Sequence, residues 1–125
     1  MRDGAYAFED LPLDPVKAGT SVLVAGPSHV GTKELAYRML VGGDDEGVIV
    51  LTTNTTAADI AADCEAVGIE TTPDRMGIVD CLDSDDSGVP ARVLTVSSAQ
   101  DLTGIGMRYS KLYRDFHEGG VERVR

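Results

Sequence analysis

Lysine is nearly missing from this chain: Lys17, Lys33 and Lys111 are its only lysines. Lysine and arginine together number 11 against 21 aspartates and glutamates, a formal net charge of −10. A surface that tracks a nucleic-acid backbone needs clustered positive charge, and no stretch here combines clustered Lys/Arg with aromatics, which excludes nucleic-acid binding as a function class. Cysteine is equally thin. Cys64 and Cys81 have no CxxC spacing, and the two histidines, His29 and His117, lie far from them, so neither a zinc site nor a secreted disulfide framework is present. No apolar run approaches the roughly 20 residues that span a bilayer. The first residues, MRDGAYAFEDLPLDP, carry acids where a signal peptide has its apolar stretch. The expectation is a cytoplasmic protein without membrane contact.

What is present suits a single globular domain. The 125 residues are enough for one core and too few for two, and 42% hydrophobic residues argue against wholesale disorder. The acidic surface repels itself at low ionic strength and is screened in salt, so a salt-rich cytoplasm is its natural setting, with an ordinary acidic protein as the alternative.

The apolar periods alternate between strand and helix. Ser21–Ala25 is a short continuous apolar run, the pattern of a strand buried on both faces. After a glycine-rich turn, KELAYRML reads as a helix with Leu35, Ala36, Met39 and Leu40 inward, stopped by Gly42 and Gly43. Val48–Thr52 is a second buried strand. Thr56–Val67 is a helix with Ala57, Ile60, Ala61, Cys64 and Val67 on one face, capped by Gly68. Gly77–Leu82 and Val93–Val96 read as further strands, with a turn-rich acidic loop, 83–90, between them. A last helix runs from Asp101 to about His117 and is expected to bury Ile105, Tyr109, Leu112 and Phe116. Gly119 and Gly120 end it, and VERVR opens one more strand. Such alternation predicts an α/β domain with a largely parallel sheet and flanking helices, without repeats or linkers.

The chemistry concentrates in the turn Gly26, Pro27, Ser28, His29, Val30, Gly31, Thr32, Lys33. A buried strand, a glycine, four residues, a second glycine and a helix have the shape of a Walker A loop, GxxxxGK[ST]. The glycines let successive backbone N–H groups curl inward, and the helix N-terminus adds partial positive charge, so a phosphate can be cradled. In the full motif a lysine follows the second glycine and a hydroxyl after it holds Mg²⁺. Here the order is Thr32-Lys33. One residue is about 100° of helical rotation, so Lys33 points elsewhere, toward the metal position, where a cation repels Mg²⁺. The backbone cradle remains and the charge clamp is displaced. A purely structural strand-to-helix turn explains the same two glycines, and both readings stay open.

The stretches KAGTSVLVAGPSHVGTKELAYRML, VIVLTTNTTAADIAADCEAVGI, MGIVDCL and VLTVSSAQDLTGIGMRYSKLYRDF resemble the N-terminal part of RecA/KaiC-like P-loop ATPases, in particular small haloarchaeal KaiC-like proteins. The resemblance runs from about Leu11 onward and implies a RecA-like fold with ATP or ADP and Mg²⁺ at the glycine turn. In such ATPases a pair of glutamates follows the second strand; here those positions are Asn54 and Thr55, which do not ionise near neutral pH. The aspartate that supports Mg²⁺ belongs to the strand that VERVR only begins. The resemblance therefore implies nucleotide binding or a pseudo-ATPase with a regulatory role. The alternatives are an interaction module without ligand and an ATPase completed by another subunit. It further implies that the first two strands of the chain flank a gap, open to a second copy or to a partner supplying strands.

The remaining candidates are weaker. His29 can contact a phosphate, but a histidine in a polar turn is usually just solvated. Arg108, Lys111 and Arg114 form a solvated face or a partner contact on the last helix. Asp80, at a strand end, lacks the acidic pair that a phospho-acceptor domain carries after its first strand. The acidic residues 83–86 lack calcium-loop spacing.

Overall fold

A computed structural model describes residues 5–8, 11–27, 31–82 and 85–125. Its elements are β1 (Ala5–Tyr6), β2 (Val16–Lys17), α1 (Thr32–Met39), β3 (Glu46–Thr52), α2 (Ala57–Ala66), β4 (Met76–Asp80), β5 (Arg92–Thr95), α3 (Leu102–Glu118) and β6 (Arg123–Val124). The fold is α/β: β3 to β6 form a four-stranded sheet in the order β5-β4-β3-β6, and every pair in it is parallel. No described helix is long and apolar enough to cross a membrane.

The helices form where caps and apolar spacing agree. The Thr56 hydroxyl accepts the Asp59 amide at 3.2 Å and opens α2, while Asp101 Oδ1 accepts the Gly104 amide at 2.9 Å and opens α3. Ala57, Ile60, Ala61 and Cys64 are buried along one face of α2. Ala57, Ile60 and Cys64 join Tyr37 of α1 and Val48 and Ile78 of the sheet in the larger core cluster. Burial of one such aliphatic side chain contributes about 1.5–3 kcal/mol.

On the opposite face α3 lies directly on the sheet backbone. A β-carbon at Gly77 would come within 3.0 Å of both Leu112 methyls, and one at Gly47 within 3.2 Å of the Phe116 ring. The bare glycines are what let Leu112 and Phe116 sink fully, Leu112 beside Val79, Cys81 and Val96.

The short strand β6 is held to β3 by side chains as much as by its ladder. Glu46, the first residue of β3, faces Arg125 at 3.2 Å and Arg123 at 3.6 Å and accepts the Gly43 amide at 2.6 Å. The same arginines tie down the N-terminal hairpin of β1 and β2. Arg123 donates to the Ala5 carbonyl and Arg125 to the Ala7 carbonyl, and both guanidinium groups lie over the Tyr6 ring at 5.1 and 5.4 Å.

Three expectations are corrected. Ser21–Ala25 lies outside every strand and is largely exposed, with Leu23 90% accessible, and among the described residues no strand pairs with it. Leu35 is exposed and Tyr37 is the buried residue of α1, since that helix packs on α2 and β3 through its Tyr37 side. Tyr109 is 47% exposed and stacks on Tyr113, since α3 meets the sheet glycines through Leu112 and Phe116. The acidic loop has Asp83 and Ser84 outside the described residues.

Candidate functional site

Parallel strands end at one rim, and the turns that follow them form the usual ligand side of an open α/β sheet. Here that rim carries Thr52 of β3, Asp80 of β4 and Thr95 of β5, which are register neighbours across the sheet.

Thr52 is buried and organises the β3 turn. Its hydroxyl donates to the Thr55 carbonyl at 2.7 Å and accepts the Thr55 amide at 3.0 Å. This closed loop holds Thr53, Asn54 and Thr55 at the rim before α2 begins. Opposite them, α1 opens at Gly31, whose φ of +84° is left-handed and favours glycine. No side chain caps this helix among the described residues.

Between the two lies a groove of about 420 Å³, lined by Lys33, Ala36, Tyr37 and Leu40 from α1 and by Val50–Thr55 and Ile60. Lys33 is the single charged liner. Its ammonium sits 3.8 Å from Asp63 and 6.0 Å from the Tyr37 ring centroid. The Lys33 and Asp63 side chains are 61% and 45% exposed, so their attraction is weak. Burial pushes the Tyr37 hydroxyl up to about 12, helped by the Asp63 carboxylate, which also takes its hydrogen bond. Asp63 is thus shared between a lysine and a tyrosine of the facing helix.

Asp80 is fully buried but turns into its own loop, where its Oδ1 accepts the Leu82 amide at 2.7 Å, and it does not line the groove. Cys81 is buried beside it, and burial followed by the Asp80 charge raises its thiol above the ordinary value. Cys64 is buried in the core, its thiol pushed up to about 11 by burial. Neither thiol is activated. Lys111 pairs with Asp115 at 3.4 Å, and Arg92 reaches the same carboxylate at 2.6 Å, which holds Asp115 below the usual range. Among the described residues no three His, Cys, Asp or Glu side chains gather as a metal site.

Of the turn residues singled out from the sequence, Gly31, Thr32 and Lys33 begin α1 beside the groove, and Gly26 and Pro27 are exposed in the segment leading to it. Ser28, His29 and Val30 lie outside the described residues. Lys33 is brought to one groove with Asn54 and Thr55, 21 and 22 positions away. Sequence reasoning missed Tyr37, Asp63 and Thr52. The i, i+4 spacing of Lys33 and Tyr37 was a usable signal for the first; the Asp63 contact joins two helices and has no local signature.

No curated protein and no solved structure matches the chain. A family model does match, over residues 19–125, which takes in every element from α1 to β6 and leaves out the N-terminal hairpin. The chain belongs to DUF7504, a family of unknown function.

Proposed function

We propose that this chain binds a nucleotide, ATP or ADP with Mg²⁺, through its phosphates at the entrance of α1. It does so on a RecA/KaiC-like P-loop scaffold, and it serves as a regulatory protein in the cytoplasm without hydrolysing ATP on its own. The observation that carries the reading is the helix entrance itself: a left-handed Gly31, a first turn without a side-chain cap among the described residues, and a groove with one lysine alongside. First-turn amides without a capping side chain favour an anion through their N–H groups and the helix dipole together. Lys33 adds mobile charge. Its exposed pairing with Asp63 costs little to break, leaving the ammonium able to turn toward a phosphate. The groove liners other than Lys33 are neutral, so Mg²⁺ is held chiefly by the nucleotide's own phosphates.

The same residues argue against turnover. Asn54 and Thr55 line the groove where a carboxylate base is needed, and Asp80 is engaged in its own turn. Phosphoryl transfer rests on positioning and charge stabilisation, and Lys33 alone supplies little of either.

Thermal unfolding in molar KCl, with and without Mg-ATP and Mg-ADP, tests the reading alongside the double variant Thr32→Lys, Lys33→Thr. A ligand at 100 times its dissociation constant adds about 2.7 kcal/mol to the folded state. The expected result is a rise in Tm for the native chain with no ATP consumed, and a larger rise for the double variant. A rise in the variant alone means the native cradle is inert, and no rise in either removes nucleotide binding altogether.

A further inference from the structure

A displacement of one residue gives Lys33 a different target. It follows Thr32 instead of Gly31, and its ammonium is turned toward α2, where it sits 3.8 Å from Asp63. The two partners of this pair are not held alike. Tyr37 is buried in the core cluster with Ile60 and Cys64, and its hydroxyl donates to the Asp63 carboxylate. Asp63 is thereby anchored by a side chain that has no room to move. Lys33 reaches it from the end of a flexible four-carbon stem whose side chain is 61% exposed. The carboxylate is the stationary member of the pair and the ammonium the mobile one.

A carboxylate and a phosphate oxygen offer an ammonium the same kind of partner. Asp63 lies outside the set of residues that line the groove between α1 and the β3 turn, whereas Lys33 is its single charged liner. A phosphate in the groove and Asp63 therefore compete for Lys33 without having to occupy the same place. When the ammonium turns to the groove, Asp63 keeps its hydrogen bond from Tyr37, so the exchange leaves no polar group of the pair without a partner.

We infer that Asp63 is a built-in competitor for the phosphate: it holds Lys33 in the ligand-free chain and lowers the affinity of the groove for a nucleotide phosphate, an inference that rests on the nucleotide reading of the same groove. The contact is autoinhibitory, and it sets a threshold that only a ligand of higher charge density than a single carboxylate overcomes. Because the pair is exposed, the effect is modest, and loss of the Asp63 charge tightens binding about two- to fivefold.

Isothermal titration calorimetry of Mg-ADP into the native chain, Asp63→Asn, Asp59→Asn, Lys33→Ala and the double variant Lys33→Ala, Asp63→Asn tests this. In Asp63→Asn an amide oxygen still accepts the Tyr37 hydroxyl, so the fold is kept while the charge is lost, which circular dichroism checks. Asp59 lies four positions earlier on α2, carries the same charge and makes no ion pair with Lys33, so its variant measures the general gain from a less acidic surface. The expected result is a two- to fivefold tighter Asp63→Asn, a clearly smaller gain in Asp59→Asn, and no gain from Asp63→Asn once Lys33 is removed. A native chain too weak to measure beside an Asp63→Asn that binds supports the inference equally. If the native chain binds and Asp63→Asn binds no tighter, or its gain is matched by Asp59→Asn or persists without Lys33, the competitor is overturned and the nucleotide reading stands. Absence of binding in every variant removes that reading and the inference with it.

Discussion

Glu46 ties β3 to β6 and to the turn that precedes β3. Its carboxylate is 4% exposed and faces Arg125, itself 7% exposed, while Arg123 and the Gly43 amide approach it from other sides. Removing the carboxylate leaves Arg125 with the Met39 and Ala7 carbonyls and Arg123 with Asp45 at 3.9 Å, and breaking a buried pair from one side costs about 3–5 kcal/mol. Glu46→Ala should therefore lower the urea midpoint steeply and loosen both β6 and the N-terminal hairpin; an unchanged midpoint would show that the pair contributes nothing net. Cys64 and Tyr37 make a second prediction. Burial raises the Cys64 thiol from 9.0 to about 11 and the Tyr37 hydroxyl from 10.0 to about 12. Below pH 9 both groups are neutral in the folded and unfolded chain, and their contribution is fully present. Above it the unfolded chain gives up protons that the folded chain keeps, so stability falls as pH climbs from about 9 through the folded values. Urea midpoints measured from neutral to alkaline pH should decline in that window, and a flat profile would contradict the burial of both groups.

Among the elements, α3 depends most on what the sheet lacks. Leu112 and Phe116 pack where Gly47 and Gly77 have no side chains. Gly77→Ala forces a methyl against both Leu112 methyls, and overpacking of this kind typically costs about 1–3 kcal/mol. A loss of that size in chemical denaturation supports the close approach, and a neutral or stabilising effect would mean α3 shifts freely. This element was legible in the sequence from Asp101 to its glycine stop, and α2 was legible down to its buried Ala57, Ile60, Ala61 and Cys64, because cap and period lie within a few residues of one another. Burial at Tyr109 and Leu35 was not legible. Periodicity marks an apolar stripe, but only the extent of the opposing sheet sets which part of the stripe is covered. Ser21–Ala25 failed for a related reason: its composition suits a buried strand, and a strand needs a neighbour whose position no local pattern encodes. The Glu46 network joins positions 79 residues apart, and Arg123 reaches back 118 residues to Ala5, so nothing near Glu46 announces Arg125.

At the scale of the whole molecule, three layers put the ends of β3, β4 and β5 on one rim, and the entrance of α1 opens onto that rim beside the β3 turn. The sequence suggested the glycine turn as the place of interest; the fold adds Asn54, Thr55 and Thr52 as its opposite wall and sets Asp63 as the competitor for Lys33. The chain carries a net charge of −10 and the groove at the rim a single basic liner, so the proposed binding of an anion would rest on a local field and not on the molecule as a whole. Nucleotide affinity should accordingly rise with salt up to the point where the Lys33 contact itself is screened. The most direct test is a ¹⁵N–¹H amide spectrum of the native chain in molar KCl, titrated with Mg-ADP. Saturable shifts confined to Gly31, Thr32 and Lys33 and to Thr53, Asn54 and Thr55 are predicted. Amides that do not move, or that move only on faces remote from the rim, would contradict the account.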